Sequence, residues 1–537
     1  MKPNIIVIVA DDTTPAYHGC YGGPTPTPNI DSIARDGALF RESRCVAPLC
    51  CPSRYSIFTG RYVGRAPSVW RDTPKDQPHY VLQNADLTPD TPTVAKMLRD
   101  AGYHTCHVGK WHSGWTTSFG AGEHEGRIGP DDDLHDPATQ RRQRAIYEAR
   151  LETVRSFAGF DEAHALSWGN IGAANGPPPI RVHNVQWQTD AALDFLDRAA
   201  DADEPFYLHI AETVPHGPDP SQELGKDHRY TAGGILDHDP KGHPPDETVH
   251  ERLRDAGFSP GGRLYGINAG MVMLDEQVGA ILDKLRALGL DENTLVVYAA
   301  DHGIAGKGSC YYPGTHLPLV MRWPGRIAAG TVVDEPVMHV DFLPTLLAAA
   351  EVAPSAPNDG IDLLPRLTSG RPIEREATFA EMGWTRSITK GRYSYLAFRY
   401  PESAIREMEE GGTDVAIDHV ARYKGSFGDM NARNRPHYFD PDQLYDLEVD
   451  PYCRTNLAGD PAHRETLAAL KSELERHLAS FERPFPLEVP GFMRSPRFAE
   501  LVAERQARMD PPFPQPPEVE EVYGRNVPGA EEGHHGG

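Results

Sequence analysis

Short apolar runs alternate with helical patterns over the first two thirds of the chain. The runs from Asn4 to Ala10 and from Leu295 to Ala300 are rich in β-branched residues, which is typical of strands covered on both faces of a parallel sheet. Helical patterns begin at Thr27-Pro28 and at Thr91-Pro92, and a long one extends from Tyr265 to Leu288. This alternation predicts an α/β fold with a doubly wound, mostly parallel sheet flanked by helices.

The same criteria give further elements and a change of pattern near residue 370. Strands are predicted from Tyr103 to Val108 and from Pro205 to Ala211, and a helix from Asp341 to Ala350. Between Thr378 and Tyr400, short alternating runs flank a Lys390-Gly391 turn signal, which is typical of an antiparallel hairpin. A helix with apolar positions at helical spacing is expected from about Pro461 to Phe481.

These patterns predict three parts of the chain. We expect a catalytic α/β domain over residues 1–370, a smaller C-terminal α+β domain with a short antiparallel sheet over residues 371–482, and a Pro-rich extended tail over residues 483–537. Two stretches poor in apolar residues, Gly120 to Arg144 and Pro218 to Gly262, are predicted to be long insertions. Insertions on an α/β scaffold usually shape access to the substrate.

Charge and cysteine content narrow the class of protein. The 53 basic and 77 acidic residues give a formal net charge of −24, which argues against nucleic acid or an anionic membrane as the partner. No stretch approaches the roughly 18 apolar residues that span a bilayer, so we expect neither a signal peptide nor a membrane anchor. The seven cysteines show no repeated spacing, and the sequence therefore predicts a cytoplasmic protein.

Acidic residues follow two of the predicted strands directly. Asp11-Asp12 ends the first strand, and Asp301-His302-Gly303 follows the second. If these strands are neighbours, three carboxylates and an imidazole meet at one crevice, where their repulsion calls for a divalent cation. The alternative is that each acidic pair caps a helix or lies in a solvated loop, which we weigh less because the two occur together.

A second signal is the segment Cys50-Cys51-Pro52-Ser53-Arg54, followed by Thr59-Gly60-Arg61. Taken alone, the two cysteines would be a buried thiol pair beside a turn. C-x-P-S-R followed by T-G-R at this spacing resembles the signature of the formylglycine-dependent sulfatase family, in the alkaline phosphatase-like superfamily.

Further segments resemble that family's landmarks in their usual order. They are V-A-D-D, T-P-N-I-D-S-I-A-R-D-G, G-K-W-H, P-H-G-P, N-T-L-V-V-Y-A-A-D-H-G, P-L-V-M-R-W-P-G, D-F-L-P-T-L and L-Y-D-L-E-V-D-P. The stretch K-G-S-C-Y-Y-P-G-T from Lys307 to Thr315 is similar to sulfamidase-like members.

The resemblance implies that a formylglycine-generating enzyme oxidises Cys50 to formylglycine. One hydroxyl of the aldehyde hydrate would attack sulfur, and deprotonation of the other would expel sulfate and restore the aldehyde. The implied metal ligands are Asp11, Asp12, Asp301, His302 and residue 50. Calcium is expected first, with manganese or magnesium as alternatives, because His302 stands where many sulfatases have Asn. His302 could instead be a hydrogen-bonding neighbour of the ligands.

The same resemblance assigns roles to five cationic or imidazole side chains. Arg54 would hold the hydrate, Lys110 would bind the sulfate oxygens, and His112 would remove the proton from the hydrate. Lys110 and His112 share one face of an extended chain at i and i+2, which would place both in the crevice. His216 and Lys307 would contact the ester oxygen, one of them protonating the leaving alcohol. In isolation each would be an ordinary polar residue.

The sequence thus predicts a sulfatase that hydrolyses a small anionic sulfate ester, or an N-sulfated sugar. Related phosphonate and phosphodiester hydrolases also carry His at the position of His302, so a phosphonate monoester or phosphodiester hydrolase using the same site is the enzymatic alternative. An alternative of another class is a non-catalytic binder of sulfated ligands through Lys110, His216 and Lys307.

Overall fold

The computed structural model describes residues 2–71, 73–74, 77–113, 128–172, 176–240, 245–262, 264–410, 427–483 and 485–507. Its strands in chain order are β1 (Asn4–Asp11), β2 (Ala38–Phe40), β3 (Ser43–Arg44), β4 (His104–Lys110), β5 (Glu162–Ser167), β6 (Phe206–Pro215), β7 (Tyr230–Thr231), β8 (Gly234–Ile235), β9 (Thr294–Ala300), β10 (His316–Leu317), β11 (Leu319–Arg322), β12 (Thr331–Val333), β13 (Val337–Met338), β14 (Thr378–Met382), β15 (Thr385–Lys390), β16 (Tyr393–Phe398) and β17 (Asp442–Asp446).

Helices separate most of these strands. In chain order the α-helices of the described residues are α1 (Pro28–Arg35), α2 (Cys50–Thr59), α3 (Pro67–Arg71), α4 (Val94–Asp100), α5 (Pro137–Ala158), α6 (Val185–Ala200), α7 (Asp246–Asp255), α8 (Tyr265–Ala287), α9 (Tyr312–Thr315), α10 (Phe342–Ala349), α11 (Leu364–Ser369), α12 (Glu402–Glu409), α13 (Phe427–Asn434), α14 (Arg464–Leu478) and α15 (Pro496–Ala507).

A mostly parallel sheet forms the centre of the fold. In the described part of the chain it has eight strands in the order β12-β2-β11-β9-β1-β6-β4-β5. The central strands β9, β1, β6, β4 and β5 pair in parallel, while β11 runs antiparallel to β9 and β2. The predicted doubly wound α/β fold is therefore confirmed.

Both faces of the sheet are covered by apolar side chains. Along β1, Ile5, Val7 and Val9 belong to one core cluster, while Ile6 and Ile8 belong to the other. This alternation follows from the two-residue period of a strand and explains why β1 is apolar throughout. Helices α1, α6, α7 and α8 cover one face, and α2, α4, α5 and α10 cover the other.

The strand order determines which residues meet at the carboxyl edge of the sheet. Successive strands β9, β1, β6, β4 and β5 all point in the same direction, so the residues that follow them line one crevice. From β9 to β5 these residues are Asp301 and His302, Asp11 and Asp12, His216, Lys110 and His112, and Asn170.

The C-terminal region has the predicted antiparallel sheet. In the described residues its order is β14-β15-β16-β17, and the β15–β16 hairpin turns at Gly391. Helix α14 packs on this sheet through Leu470 and Leu474. The apolar cluster that contains these leucines also contains Val7 of the central sheet. The three-part division of the chain stays a prediction.

Two expectations for irregular segments differ from the structure. The tail was expected to be extended, but residues 496–507 form α15, because Phe498 and Leu501 bury an apolar stripe against the core. The insertion from 120 to 144 lies partly outside the described residues, and its end belongs to α5, which Asp136 caps by accepting from the Thr139 backbone N–H. The insertion from 218 to 262 contains the short strands β7 and β8 and helix α7.

Among the described residues, none of the helices combines the length and the apolar character that crossing a membrane requires.

In the part of the chain that the structure describes, the central sheet buries the carboxyl group of Glu212 with an amide as its hydrogen-bond partner. Glu212 of β6 is fully buried, and its Oε1 accepts a hydrogen bond of 2.6 Å from Gln277 Nε2. Burial raises the pKa of Glu212 from 4.5 to about 8. The folded protein therefore keeps a proton that the unfolded chain releases between these two pH values.

We predict that Glu212→Gln relieves a pH-dependent destabilisation. Between pH 4.5 and about 8 only the folded state holds this proton. As the pH rises through this range, the free energy of unfolding of the parent therefore falls by up to about 1.4 kcal/mol per pH unit relative to that of the variant. Urea unfolding of both proteins across this range measures the difference in free energy of unfolding. A difference that stays constant with pH would contradict the prediction.

Candidate active site

Cys50 is the first residue of a helix that is buried on all sides. Leu49 precedes it in an extended conformation, Pro52 occupies the first turn, where no backbone donor is needed, and Gly60 ends the helix at a positive φ of 65°. All ten residues of α2 are buried. The helix N-terminus, which carries partial positive charge, therefore presents residue 50 to the carboxyl edge of the sheet.

The acidic residues of β1 and β9 come together as the sequence predicted they would if the strands were neighbours. Ala10 pairs with Ala300, and the Asp301 N–H extends the ladder by donating to the Ala10 carbonyl at 3.0 Å. Asp12 adopts a positive φ of 67°, and its N–H donates to Asp301 Oδ1 at 3.1 Å. Three carboxylates thus share one buried crevice.

Each of these carboxylates contacts at least one cationic side chain. Arg54 reaches Asp301 Oδ2 from Nε at 3.1 Å and from Nη2 at 2.9 Å, and its Nη2 lies 3.9 Å from Asp11. Lys110 Nζ donates to Asp11 Oδ2. Lys307 Nζ donates to the third carboxylate, at Asp12 Oδ2, over 3.0 Å.

Four potential metal ligands lie at the centre of the crevice. Ligand atoms of Asp11, Cys50, Asp301 and His302 are all within 4.8 Å of one another and all four residues are buried. Cys50 Sγ lies 3.1 Å from His302 Nε2 and 3.6 Å from Asp11 Oδ1. Asp12 stands beside them, with Oδ1 3.4 Å from His302 Nδ1.

The donor set fits a divalent cation. Carboxylate oxygens suit calcium, magnesium and manganese, and an imidazole nitrogen favours manganese or another transition ion among them. Asp12 Oδ1 is buried and accepts no hydrogen bond from the described residues, which is the state of an acceptor that a cation would satisfy.

Electrostatics around Cys50 are dominated by cations. Burial alone would raise the pKa of the Cys50 thiol, but Lys110, Lys307 and His302 hold it well below its ordinary value. Burial likewise works against ionisation of Asp11, yet Lys110 and neighbouring cations lower its pKa well below the usual range. In an acidic protein, this crevice is a local concentration of positive charge.

His112 reaches the site in a different way from the one predicted. Its φ is +42°, so the extended alternation that would put it on the same face as Lys110 ends before it. A bulge between Val108 and Lys110, where Gly109 has a φ of 90°, also breaks the regular register. His112 nevertheless hydrogen-bonds the Cys50 side chain, and burial lowers the pKa of its imidazole.

His216 lies at the mouth of the crevice. It follows β6 and is half-buried, with Nε2 4.0 Å from Asp12 Oδ2 and Nδ1 2.7 Å from the Gly217 carbonyl. It is the most exposed of the predicted site residues. The structure therefore brings every predicted site residue to one crevice. Arg54, which the resemblance assigns to the hydrate, contacts the carboxylates of Asp301 and Asp11 in this structure.

Three further polar residues support the site and were not predicted. Asn170 Oδ1 accepts from Lys110 Nζ at 2.6 Å, and Ser53 Oγ donates to the Asp301 carbonyl and lies 3.0 Å from His339 Nδ1. Asn170 follows strand β5, and a polar residue after a strand end is the sequence feature that could have identified it as a site residue. His339 is distant in sequence and carried no signal.

Comparisons with known proteins agree on one family. The family model described as Sulfatase matches residues 3–352. Mouse steryl-sulfatase is 29% identical over 536 residues, which cover 90% of this chain and 83% of that protein.

Solved structures share the fold. BT4656, in complex with its substrate D-glucosamine-2-N,6-O-disulfate, matches with a TM-score of 0.59 and 20% identity, over 91% of this chain and 100% of that one. The phosphonate monoester hydrolase of Agrobacterium radiobacter matches with a TM-score of 0.56 and 19% identity, over 89% and 96%.

We predict that a divalent ion stabilises the protein through Asp301. Ca²⁺ or Mn²⁺ at about 100 times its dissociation constant should add about 2.7 kcal/mol to the free energy of unfolding. Asp301→Asn should remove this gain. Asp334→Asn, which changes an exposed carboxylate paired with Arg41, is the matched control and should retain it. An undiminished gain in Asp301→Asn would disprove the assignment.

Proposed function

Because the chain belongs to the sulfatase family, whose members are sulfuric ester hydrolases, we propose that it hydrolyses a small anionic sulfate ester with residue 50, oxidised to formylglycine, as the nucleophile. The observation that carries this proposal is the position of Cys50. It begins a buried helix at 3.1 Å from His302 and beside Asp11, within the cluster suited to a cation.

The thiol itself suits this chemistry poorly. Sulfur is a soft ligand, whereas the surrounding carboxylates favour a hard cation. Formylglycine supplies a hydrate with two hydroxyl groups, one for attack on sulfur and one whose deprotonation allows sulfate to leave. Cys50 is completely buried in the folded chain, so a formylglycine-generating enzyme would have to reach it before folding is complete.

Asp11, Asp12, Asp301 and His302 would hold the divalent ion, and Ca²⁺, Mn²⁺ or Mg²⁺ would each find suitable ligands. When bound, the ion supplies charge stabilisation for the sulfate oxygens and favours the ionised form of a hydroxyl group. A cation among the carboxylates also takes over the neutralisation that Lys110 and Lys307 now provide. Both ammonium groups are then available to the sulfate oxygens.

His112 would accept the proton from the hydroxyl at residue 50, since its imidazole contacts that side chain directly. Arg54 orients Asp301 through two donors and so positions the ligand cluster against the helix terminus. Asn170 holds the Lys110 ammonium at 2.6 Å. Arg54 and His112 are buried, which favours a fixed geometry at residue 50.

His216 and Lys307 would serve the leaving group. Both contact the Asp12 side of the crevice, and His216 is the more exposed of the two. We assign to this pair the contact with the ester oxygen and the donation of a proton to the departing alcohol. General acid assistance of this kind contributes about 10²- to 10⁴-fold to a rate. A cytoplasmic location stays a prediction from the sequence.

A phosphonate monoester hydrolase is the second candidate function. His302 supplies a nitrogen ligand in the metal cluster, which suits a transition ion, and a phosphonate monoester hydrolase shares the fold. Phosphonate monoesters and sulfate esters are both tetrahedral anions, so the same cations would bind either.

We predict that the tryptic peptide from Cys45 to Arg54, taken from protein made in the native host, carries an aldehyde at position 50. Mass spectrometry detects the mass lost when CH₂–SH becomes CHO. Cys50→Ala should reduce turnover of an aryl sulfate below detection. Cys51→Ala, which changes the adjacent buried cysteine, is the matched control and should remain active. An intact thiol in active enzyme would refute the proposed nucleophile.

Substrate preference separates the two candidate functions. We predict a higher kcat/KM for an aryl sulfate than for the aryl phosphonate monoester with the same leaving group. The comparison should be made with both Ca²⁺ and Mn²⁺. Faster turnover of the phosphonate with either ion would favour the second function instead.

A further inference from the structure

A second cluster of metal-ligating side chains lies at the opposite end of β4 and β5. Glu162 Oε1 is 2.7 Å from His104 Nε2, and Glu162 Oε2 is 2.6 Å from His164 Nε2. Ligand atoms of Cys106, Glu162 and His164 lie within 4.8 Å of one another. One carboxylate thus stands between two imidazoles, with a thiol close by.

The sheet register explains this convergence. Strands β4 and β5 pair in parallel, with Cys106 directly opposite Glu162 and Val108 opposite His164. His104 and Cys106 are two residues apart on β4, and Glu162 and His164 are two residues apart on β5, so all four share one face. His104 and Glu162 are the first residues of their strands, whereas Lys110 is the last residue of β4 and faces the catalytic crevice at the other end.

The cluster is accessible but anchored. The side chains of His104, Glu162 and His164 are 36%, 25% and 41% exposed, while Cys106 is fully buried beneath them. Strand β5 is the outer strand of the sheet, so an ion can approach from solvent. The buried thiol is held in place by the core, while the half-exposed imidazoles leave the cluster open to solvent.

We propose that His104, Cys106, Glu162 and His164 form a second metal site that takes Zn²⁺. Two imidazole nitrogens, one carboxylate oxygen and one thiolate make a four-ligand set of the kind that Zn²⁺ binds in tetrahedral sites. This mixture disfavours calcium and magnesium, which prefer oxygen ligands, and so distinguishes the cluster from the carboxylate-rich catalytic crevice.

Among the described residues, Arg198 of α6 is the arginine that competes for Glu162. Its Nη2 lies 2.6 Å from Glu162 Oε2. Glu162 can bind the ion through Oε1 and keep Arg198 on Oε2, so a monodentate carboxylate satisfies both. Each imidazole would bind zinc through Nε2 with its ring proton on Nδ1, and the Cys106 thiol would release its proton to solvent and bind as a thiolate. The bound ion would tie the outer strand β5 to β4.

Zinc stoichiometry of the full-length protein tests this site. After removal of metals with a chelator, the protein is titrated with ZnCl₂ and bound zinc is counted by mass spectrometry of the dialysed sample. His164→Gln and His104→Gln should each lower the bound zinc by one equivalent. The same loss should be seen whether the substitution is made in the parent or in the Asp301→Asn variant. The Asp301→Asn background removes the catalytic crevice as a source of bound zinc, so an equivalent lost in that background belongs to this second site.

A matched control and a spectroscopic readout complete the test. His463→Gln changes a histidine paired with Asp460 at 3.0 Å, and it should bind as much zinc as the parent. Co²⁺ loaded in place of zinc should give a thiolate charge-transfer band that persists in Cys50→Ala and is lost in Cys106→Ser. If His164→Gln and His104→Gln bind zinc with unchanged stoichiometry and affinity, the cluster is a hydrogen-bonded ion pair and the proposal is wrong.

Discussion

Neutralisation of three buried carboxylates is the constraint on which this active site depends. Asp11, Asp12 and Asp301 lie at the end of an apolar sheet, where an unpaired charge costs several kcal/mol. Each carboxylate has its own cation, Lys110, Lys307 or Arg54. Arg54 also lies 3.9 Å from Asp11, and His216 and His302 face Asp12, so cationic and imidazole groups surround the carboxylates. This surplus explains how an acidic protein keeps a crevice suited to an anion.

The position of residue 50 follows from helix α2 rather than from its own contacts. A helix that is buried on every side cannot rotate to present another residue, and its N-terminus faces the carboxylates of β1 and β9. Arg54 lies one turn further along the same helix and holds Asp301. The short motif therefore carries both residue 50, the proposed nucleophile, and the group that positions its neighbour, because the two are four positions apart on one helix face.

The two ends of strand β4 serve different chemistry. Lys110 at its carboxyl end contributes to a crevice of oxygen ligands and ammonium groups, while His104 and Cys106 near its start contribute nitrogen and sulfur. The same parallel pairing creates both clusters, since it aligns equivalent ends of neighbouring strands.

The sequence by itself determined the class of fold, and its resemblance to sulfatases indicated the residues that meet in the crevice. Apolar runs followed directly by Asp11-Asp12 and Asp301-His302 indicated strands that end in ligands, and the motif at Cys50 indicated their partner. Local pattern suffices there because strand period and helix capping act over a few residues. Local pattern did not predict helix α15, because the stripe formed by Phe498 and Leu501 is buried only by a core that other parts of the chain build.

Tertiary structure alone decided that Lys110 pairs with Asp11 and that Asn170 holds Lys110. It also decided that His112 reaches the site with a positive φ, and that Glu162 contacts two histidines. Those contacts depend on strand order and register, which join residues far apart in the chain and leave no local trace in it.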